Sequence, residues 1–368
     1  MTPRLIATYR LRADAATIGA RARAIAVEQS VEMPPEAIDA PRILAEVVGK
    51  VEQLIDRGGG TFDVRIGLAA ETIGDDAGQL LNMVFGNTSL HPDVILIGVE
   101  LPAALAAGFP GPRLGLAGLR ARLDVPRRAL TGSALKPQGL DVAALAELAA
   151  RFARGGIDLV KDDHGLADQA TAPFAVRVPA CAEAVRRAAT ATGHPTRYAP
   201  SLSGPHERMR ARLRLAREAG VDTVLIAPMI AGFATVQALA VEFPDIAFLA
   251  HPSLGGAARI APEVLIGALF PLIGADAVIF PAHGGRFGYT QATCHRIAAA
   301  ARHKPHGRRS ALPVPAGGMT LARVPELLDF YGPDTMLLIG GNLLAAGTGL
   351  TEATARFVRA VADHTGAA

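Results

Sequence analysis

The sequence predicts an α/β protein in two parts, an α+β ferredoxin-like domain over residues 1–120 followed by a (β/α)8 TIM barrel over residues 121–368. Three observations carry that reading. Short apolar runs recur across the second part with helix-length stretches between them, the rhythm of a parallel barrel. Before them, strands and helices interleave without that rhythm. Finally, the barrel runs end not in ordinary turn residues but in lysine, aspartate, histidine and paired glycines.

In the first part, Leu5–Leu11 alternates like a half-buried strand, the stretch from Ala15 to Val27 has a helical pattern, and Thr61–Leu68 alternates again. A helix follows from Asp75 to Phe85, then a strand over Val94–Leu101. Glu28-Gln29-Ser30 and Gly86-Asn87-Thr88-Ser89 punctuate the two helices, and by themselves they read as caps or turns. The Pro-, Gly- and Arg-rich stretch from Pro102 to Arg128 reads as a linker.

The barrel strands are expected at Ala129–Leu135, Ile157–Val160, Tyr198–Ser201, Asp222–Ala227, Ile246–Ala250, Ala277–Phe280, Leu312–Pro315 and Thr335–Ile339. Helices are expected at Asp141–Arg154, near Ala180–Ala191 and at Pro205–Glu218. A doubly wound open sheet would need fewer strands. In a barrel, the C-terminal strand ends open into the active-site mouth. The first ends at Lys136-Pro137-Gln138, the second at Lys161-Asp162-Asp163-His164, and the fifth at His251-Pro252-Ser253. The sixth leads into His283-Gly284-Gly285-Arg286, and the last two end in Gly317-Gly318 and Gly340-Gly341-Asn342.

Four ionisable groups at the end of a buried strand are costly to desolvate. Alternation puts Lys161 and Asp163 on one side and Asp162 on the other, with His164 free to swing back beside the first two. Such convergence suits a metal ion. Glycine pairs after the last two strands suit a phosphate, because backbone N–H groups can approach it with no Cβ between.

Composition narrows the remaining classes. Half the residues are hydrophobic and 19% are charged, which favours a large core over disorder. The formal charge is only +3 and there is no tryptophan, so little interleaves aromatic and basic residues for nucleic acid. The tightest basic run, from His303 to Arg309, reads as a solvated helix end and loop. Cys181 and Cys294 fit no metal or redox spacing and read as reduced packing residues. No signal peptide or transmembrane run is visible, so a cytoplasmic protein with neither membrane nor nucleic-acid partner is expected.

These residues resemble one family. Gly132-Ser133-Ala134-Leu135-Lys136-Pro137 and Gly155–Asp163 are similar to the two signature strands of the RuBisCO large-chain superfamily. Pro315–Met319 and Ile339–Asn342 resemble its last two strands, and Glu28 and Asn87 resemble residues that its amino-terminal domain lends to a neighbouring subunit's site. The resemblance implies that Lys161 is carbamylated by CO2 and binds Mg²⁺ together with Asp163 and the next residue. That residue is His164 where the family has glutamate, which leaves Mn, Fe or Zn open as well. It implies that Lys136 transfers protons, that His251 is catalytic, and that His283, Arg286, Gly317, Gly318, Gly340, Gly341 and Asn342 bind a phosphorylated substrate. Gln138 replaces the carboxylases' second lysine, Pro252 their arginine for the second phosphate, and Gly284-Gly285-Arg286 their mobile lysine.

The expectation is therefore a RuBisCO-like protein that enolises a small phosphorylated keto-sugar or keto-acid without fixing CO2. Isomerisation, tautomerisation and decarboxylation share that enolate. The alternatives are a Schiff-base aldolase using Lys161 or Lys136, and a non-catalytic sensing or structural homologue. Because Glu28 and Asn87 would complete a partner's site, a homodimer or higher homo-oligomer is expected.

Overall fold

In a computed structural model, which describes residues 3–364, the chain forms two sheets. The first contains β1 (Arg4–Arg12), β2 (Lys50–Asp56), β3 (Thr61–Ala69) and β4 (Ile95–Glu100), all antiparallel in the order β2-β3-β1-β4. With α1 (Ile18–Glu28) between β1 and β2 and α2 (Ala77–Phe85) before β4, this is the βαββαβ ferredoxin-like arrangement. Leu5, Ala7, Tyr9 and Leu11 line the buried face of β1. The Tyr9 hydroxyl donates 2.6 Å to the Val84 carbonyl, fastening the sheet to α2.

The second sheet is the barrel: β5 (Leu130–Leu135), β6 (Leu159–Asp162), β7 (Arg197–Ala199), β8 (Ser201–Leu202), β9 (Thr223–Ile226), β10 (Ala247–Ala250), β11 (Ala277–Pro281), β12 (Leu312–Ala316) and β13 (Met336–Leu338). All pairings are parallel. The nine segments make eight strands, because β7 and β8 are one strand broken at Pro200, which has no N–H for the ladder. The Pro200 carbonyl still accepts from Leu225 N at 2.9 Å, closing the ring. Helices cover the outside, so most strand residues are buried on both faces and the strands read as continuous apolar runs. Asp141 caps the helix Val142–Arg154 by accepting from Ala144 N at 2.8 Å, and Leu145, Ala149 and Phe152 form its buried face.

The segment expected to be a linker is built differently. Residues Gly115–Leu123 form a helix, and the boundary expected after residue 120 falls inside it. Leu119 and Leu123 pack with Leu130, Leu159, Leu249 and Met336 inside the N-terminal end of the barrel. The void left there is about 10 Å³, room for at most a water molecule. Buried Asp276 accepts from the backbone N–H groups of Leu114 and Gly115, both at 2.7 Å, and of Phe248 at 3.1 Å. The barrel is thus floored at one end and open at the other.

Candidate active site

At the open end, β6 delivers the ionisable cluster. Lys161 is buried, and among the described residues its amine donates only to the Asp162 carbonyl, at 3.1 Å. Burial brings its pKa down to about 8; Asp163 opposes that fall and Lys136 adds to it. Asp162 points the other way, to Tyr198 Oη at 2.7 Å, Ser201 N at 3.0 Å and the buried Arg177 guanidinium at 3.1 Å. Those contacts fix the end of β6 against both halves of the broken strand.

Asp163 faces the mouth. Its Oδ1 lies 2.7 Å from Lys136 Nζ and 3.2 Å from His164 Nδ1, and among the described residues nothing bonds to Oδ2. Burial works against its charge, but His164 and Lys136 outweigh it and hold the carboxyl well below its usual range. The His164 ring stacks on His251 with centroids 4.4 Å apart and planes 5° off parallel. His251 Nδ1 accepts from Ser253 N at 3.2 Å, which places the proton of the neutral ring on Nε2. Burial, with the nearby Lys161, lowers its pKa to about 3, so the ring stays neutral. Lys136, Lys161, Asp163, His164 and His251 therefore converge.

No group of three or more His, Cys, Asp or Glu side chains that could hold a metal ion is found among the described residues. Asp163 and His164 alone are a thin donor set. A divalent cation fits here only if a further anionic oxygen joins them, and the Lys161 amine beside Asp163 is where a carbamate would supply it.

The glycine loops lie after β12 and β13. Gly317 and Gly318 both have φ of +87°, and a Cβ on Gly318 would lie 2.8 Å from Arg286 Cγ. Arg286 N donates to the Gly317 carbonyl at 3.1 Å, so the loop carrying Arg286 is clasped to this turn. The Arg286 guanidinium sits 5.6 Å from the Phe287 ring centroid and forms no ion pair among the described residues. A Cβ on Gly340 or Gly341 would meet open space. Asn342 Oδ1 accepts from Leu321 N at 3.1 Å, which ties the two glycine loops together.

His283 lies apart from this cluster. Expected among the substrate-binding residues, it is buried and turned into the helical layer, where Nε2 lies 3.1 Å from Glu326 Oε1 and Nδ1 3.4 Å from the Tyr331 hydroxyl. Polar partners on the helix Val324–Tyr331 satisfy both ring nitrogens and draw it away from the lysines. Glu28 and Asn87 also stay apart from the cluster. Asn87 Nδ2 donates 2.8 Å to Glu28 and 3.2 Å to Glu32, all on the amino-terminal domain.

One part of the site was missed from sequence. Beside His164 and His251 opens a recess of about 280 Å³, walled mainly by Leu202, Leu225, Ala227, Ile230 and Ala231, with Ser201, Ser203 and Gly204 along one edge. Its signal was Ala227-Pro228-Met229-Ile230, an apolar strand end among polar ones. Ile230 is 63% exposed, an apolar side chain that faces solvent at the rim.

The profile described as ribulose bisphosphate carboxylase large chain, catalytic domain, matches residues 115–270. A protein of Rhodospirillum rubrum named 5-methylthioribulose-1-phosphate isomerase is 58% identical over 98% of this chain and 97% of its own. One of Geobacillus thermodenitrificans named 2,3-diketo-5-methylthiopentyl-1-phosphate enolase is 32% identical over 92% and 87%. The crystal structure of a RuBisCO-like protein from Rhodopseudomonas palustris superposes with a TM-score of 0.92 at 50% identity, covering 99% of both chains.

Proposed function

Because this chain belongs to the RuBisCO large-chain superfamily, as a RuBisCO-like protein and not a true carboxylase, we propose that it isomerises a methylthio-substituted ketose phosphate such as 5-methylthioribulose 1-phosphate. One observation carries the reading: the cluster of two lysines, an aspartate and two histidines lies between glycine loops on one side and a mainly apolar recess on the other. A ketose with phosphate at one end and a thioether at the other has matching polarity. A bisphosphate does not, since no lysine or arginine lines the recess for its second phosphate.

Isomerisation removes a proton from a carbon next to the carbonyl and returns it to a neighbouring carbon, so composition is unchanged. A divalent cation held by Asp163, His164 and a carbamate on Lys161 would supply electrophilic pull on the carbonyl. The carbamate forms when the neutral amine adds to CO2 and releases one proton, and a pKa near 8 leaves neutral amine present at physiological pH. Lys136 is the proton carrier: its amine stands at the mouth beside Asp163, only partly buried. The neutral His251 ring offers Nε2–H as a donor to substrate oxygen. Arg286 and the backbone of Gly317, Gly318, Gly340 and Gly341 hold the phosphate, with Asn342 keeping the two loops in register.

The test is deuterium wash-in from solvent into 5-methylthioribulose 1-phosphate. Exchange that is abolished by chelation and by Lys161→Ala is expected. Exchange indifferent to both, or borohydride trapping of a substrate adduct, would replace this reading with Schiff-base chemistry. A second reading, an enolase acting on the diketone, draws on the 32% identical relative. Turnover of the diketone with none of the ketose would select it.

Glu28 and Asn87, bonded to each other on the amino-terminal domain, would complete the site of a second copy. A dimer mixed from Glu28→Gln and Lys161→Ala chains then has one whole site. Equal mixing should recover about a quarter of wild-type activity from two inactive proteins.

A further inference from the structure

A second cavity, of about 620 Å³, lies at the seam between the amino-terminal sheet and the barrel. The segments that precede β11 and β12 contribute to it, so it belongs to the floored end of the barrel, opposite the lysine cluster. Ala106, Pro112, Leu269 and Leu272 form an apolar wall. Facing them are Lys304, Arg308 and Arg309, part of the basic run that reads from sequence as a solvated loop.

The charge in this cavity is unbalanced. Among the described residues, no carboxylate pairs with Lys304, Arg308, Arg309 or the adjacent Arg113. Glu100 is the one acid in the wall, and Arg65 already holds it through bonds of 2.7 and 3.1 Å. Arg308 is half-buried. Its Nη2 donates to the carbonyls of Ala106 and Phe109, whereas its Nη1 is buried and, among the described residues, has no partner. Arg113 Nε is likewise buried and unpartnered. Burial, with Arg113 close by, pushes the pKa of Arg308 down. A guanidinium does not lose its proton in a protein, so Arg308 and Arg113 keep fixed positive charge close behind the cavity wall.

We propose that this seam binds a small organic phosphate: its phosphate oxygens accept from Arg309 and Lys304, with the Arg308 charge behind them, and its apolar portion lies on Leu269, Leu272 and Pro112. Planar forked donors suit phosphate oxygens, and the wall gives a nucleoside-sized group a surface to cover. The site is separate from the glycine loops and makes no use of the catalytic lysines.

The probes are ATP, pyrophosphate and adenosine, titrated calorimetrically into the full-length protein. ATP should bind with affinity that falls as salt rises, pyrophosphate more weakly, and adenosine least. Lys304→Glu/Arg309→Glu should weaken ATP at least tenfold while keeping wild-type thermal stability and wild-type deuterium wash-in at the lysine cluster. Gly318→Ala, in the substrate loops, should leave ATP binding intact. The proposal is overturned if ATP does not bind, if the double variant binds it as well as wild type, or if Gly318→Ala abolishes binding.

Discussion

The two ends of the barrel treat buried charge in opposite ways. Near the floor, Asp276 accepts three backbone N–H groups. Asp158 accepts from both Arg128 nitrogens at 2.7 and 2.8 Å and from Thr131 N and Oγ1, with His194 Nε2 at 2.9 Å from its Oδ1. At the mouth, among the described residues, Lys161 is just as hidden but has one backbone carbonyl, and Asp163 keeps an oxygen free. A buried charge with every partner in place holds the fold together. One left short of partners can bind a ligand or move a proton.

Swapping the damage between ends tests this contrast. Lys161→Ala should cut turnover about 1,000-fold or more, the scale of a lost acid–base or metal-anchoring group, while thermal stability holds or rises because a costly buried amine is gone. Asp158→Asn should do the reverse. Leaving Arg128 without its anion costs about 3–5 kcal/mol in urea unfolding, with kcat of the folded fraction unchanged. If Lys161→Ala destabilises as much as Asp158→Asn, the distinction between the ends fails.

A smaller effect lies in pH. Burial pulls the Asp158 carboxyl up, but His194 and Arg128 outweigh it, and the net shift is downward. A depressed folded-state pKa stabilises the fold above the unfolded value of about 3.9 and loses that contribution as pH falls through the folded value. The urea midpoint of wild type should therefore drop more steeply below about pH 4 than that of Asp158→Asn.

The smallest effect is in the recess. Ile230→Ala should lower kcat/KM for the methylthio ketose phosphate about tenfold and scarcely change it for an analogue lacking the methylthio group. Equal losses on both substrates would mean that Ile230 shapes the loop and does not meet the thioether.

The barrel was legible in the sequence because strands covered on both faces must be apolar throughout, as Leu159-Val160 and Ala277–Phe280 are. The cluster on β6 was legible for the opposite reason, since nothing structural calls for Lys161, Asp163 and His164 together. What stayed hidden depends on partners remote in the chain. Strand β2 was missed because Lys50, Glu52 and Gln53 suit an exposed edge and mask its alternation. The floor helix was hidden among glycines and arginines, and its apolar face has meaning only inside a barrel. The direction of His283 was decided by Glu326 and Tyr331, more than forty residues on. The recess assembles Leu202, Leu225 and Ile230 from two successive strands and the short helix after the second.

The helix sealing the barrel at Leu119 and Leu123 has a kinetic corollary. With no passage along the axis, reactant and product must share one doorway, past His164, Arg286 and the glycine turns. A departing product clears the same space that the next molecule needs. Product should therefore inhibit competitively, and crowding that rim should slow arrival and departure together.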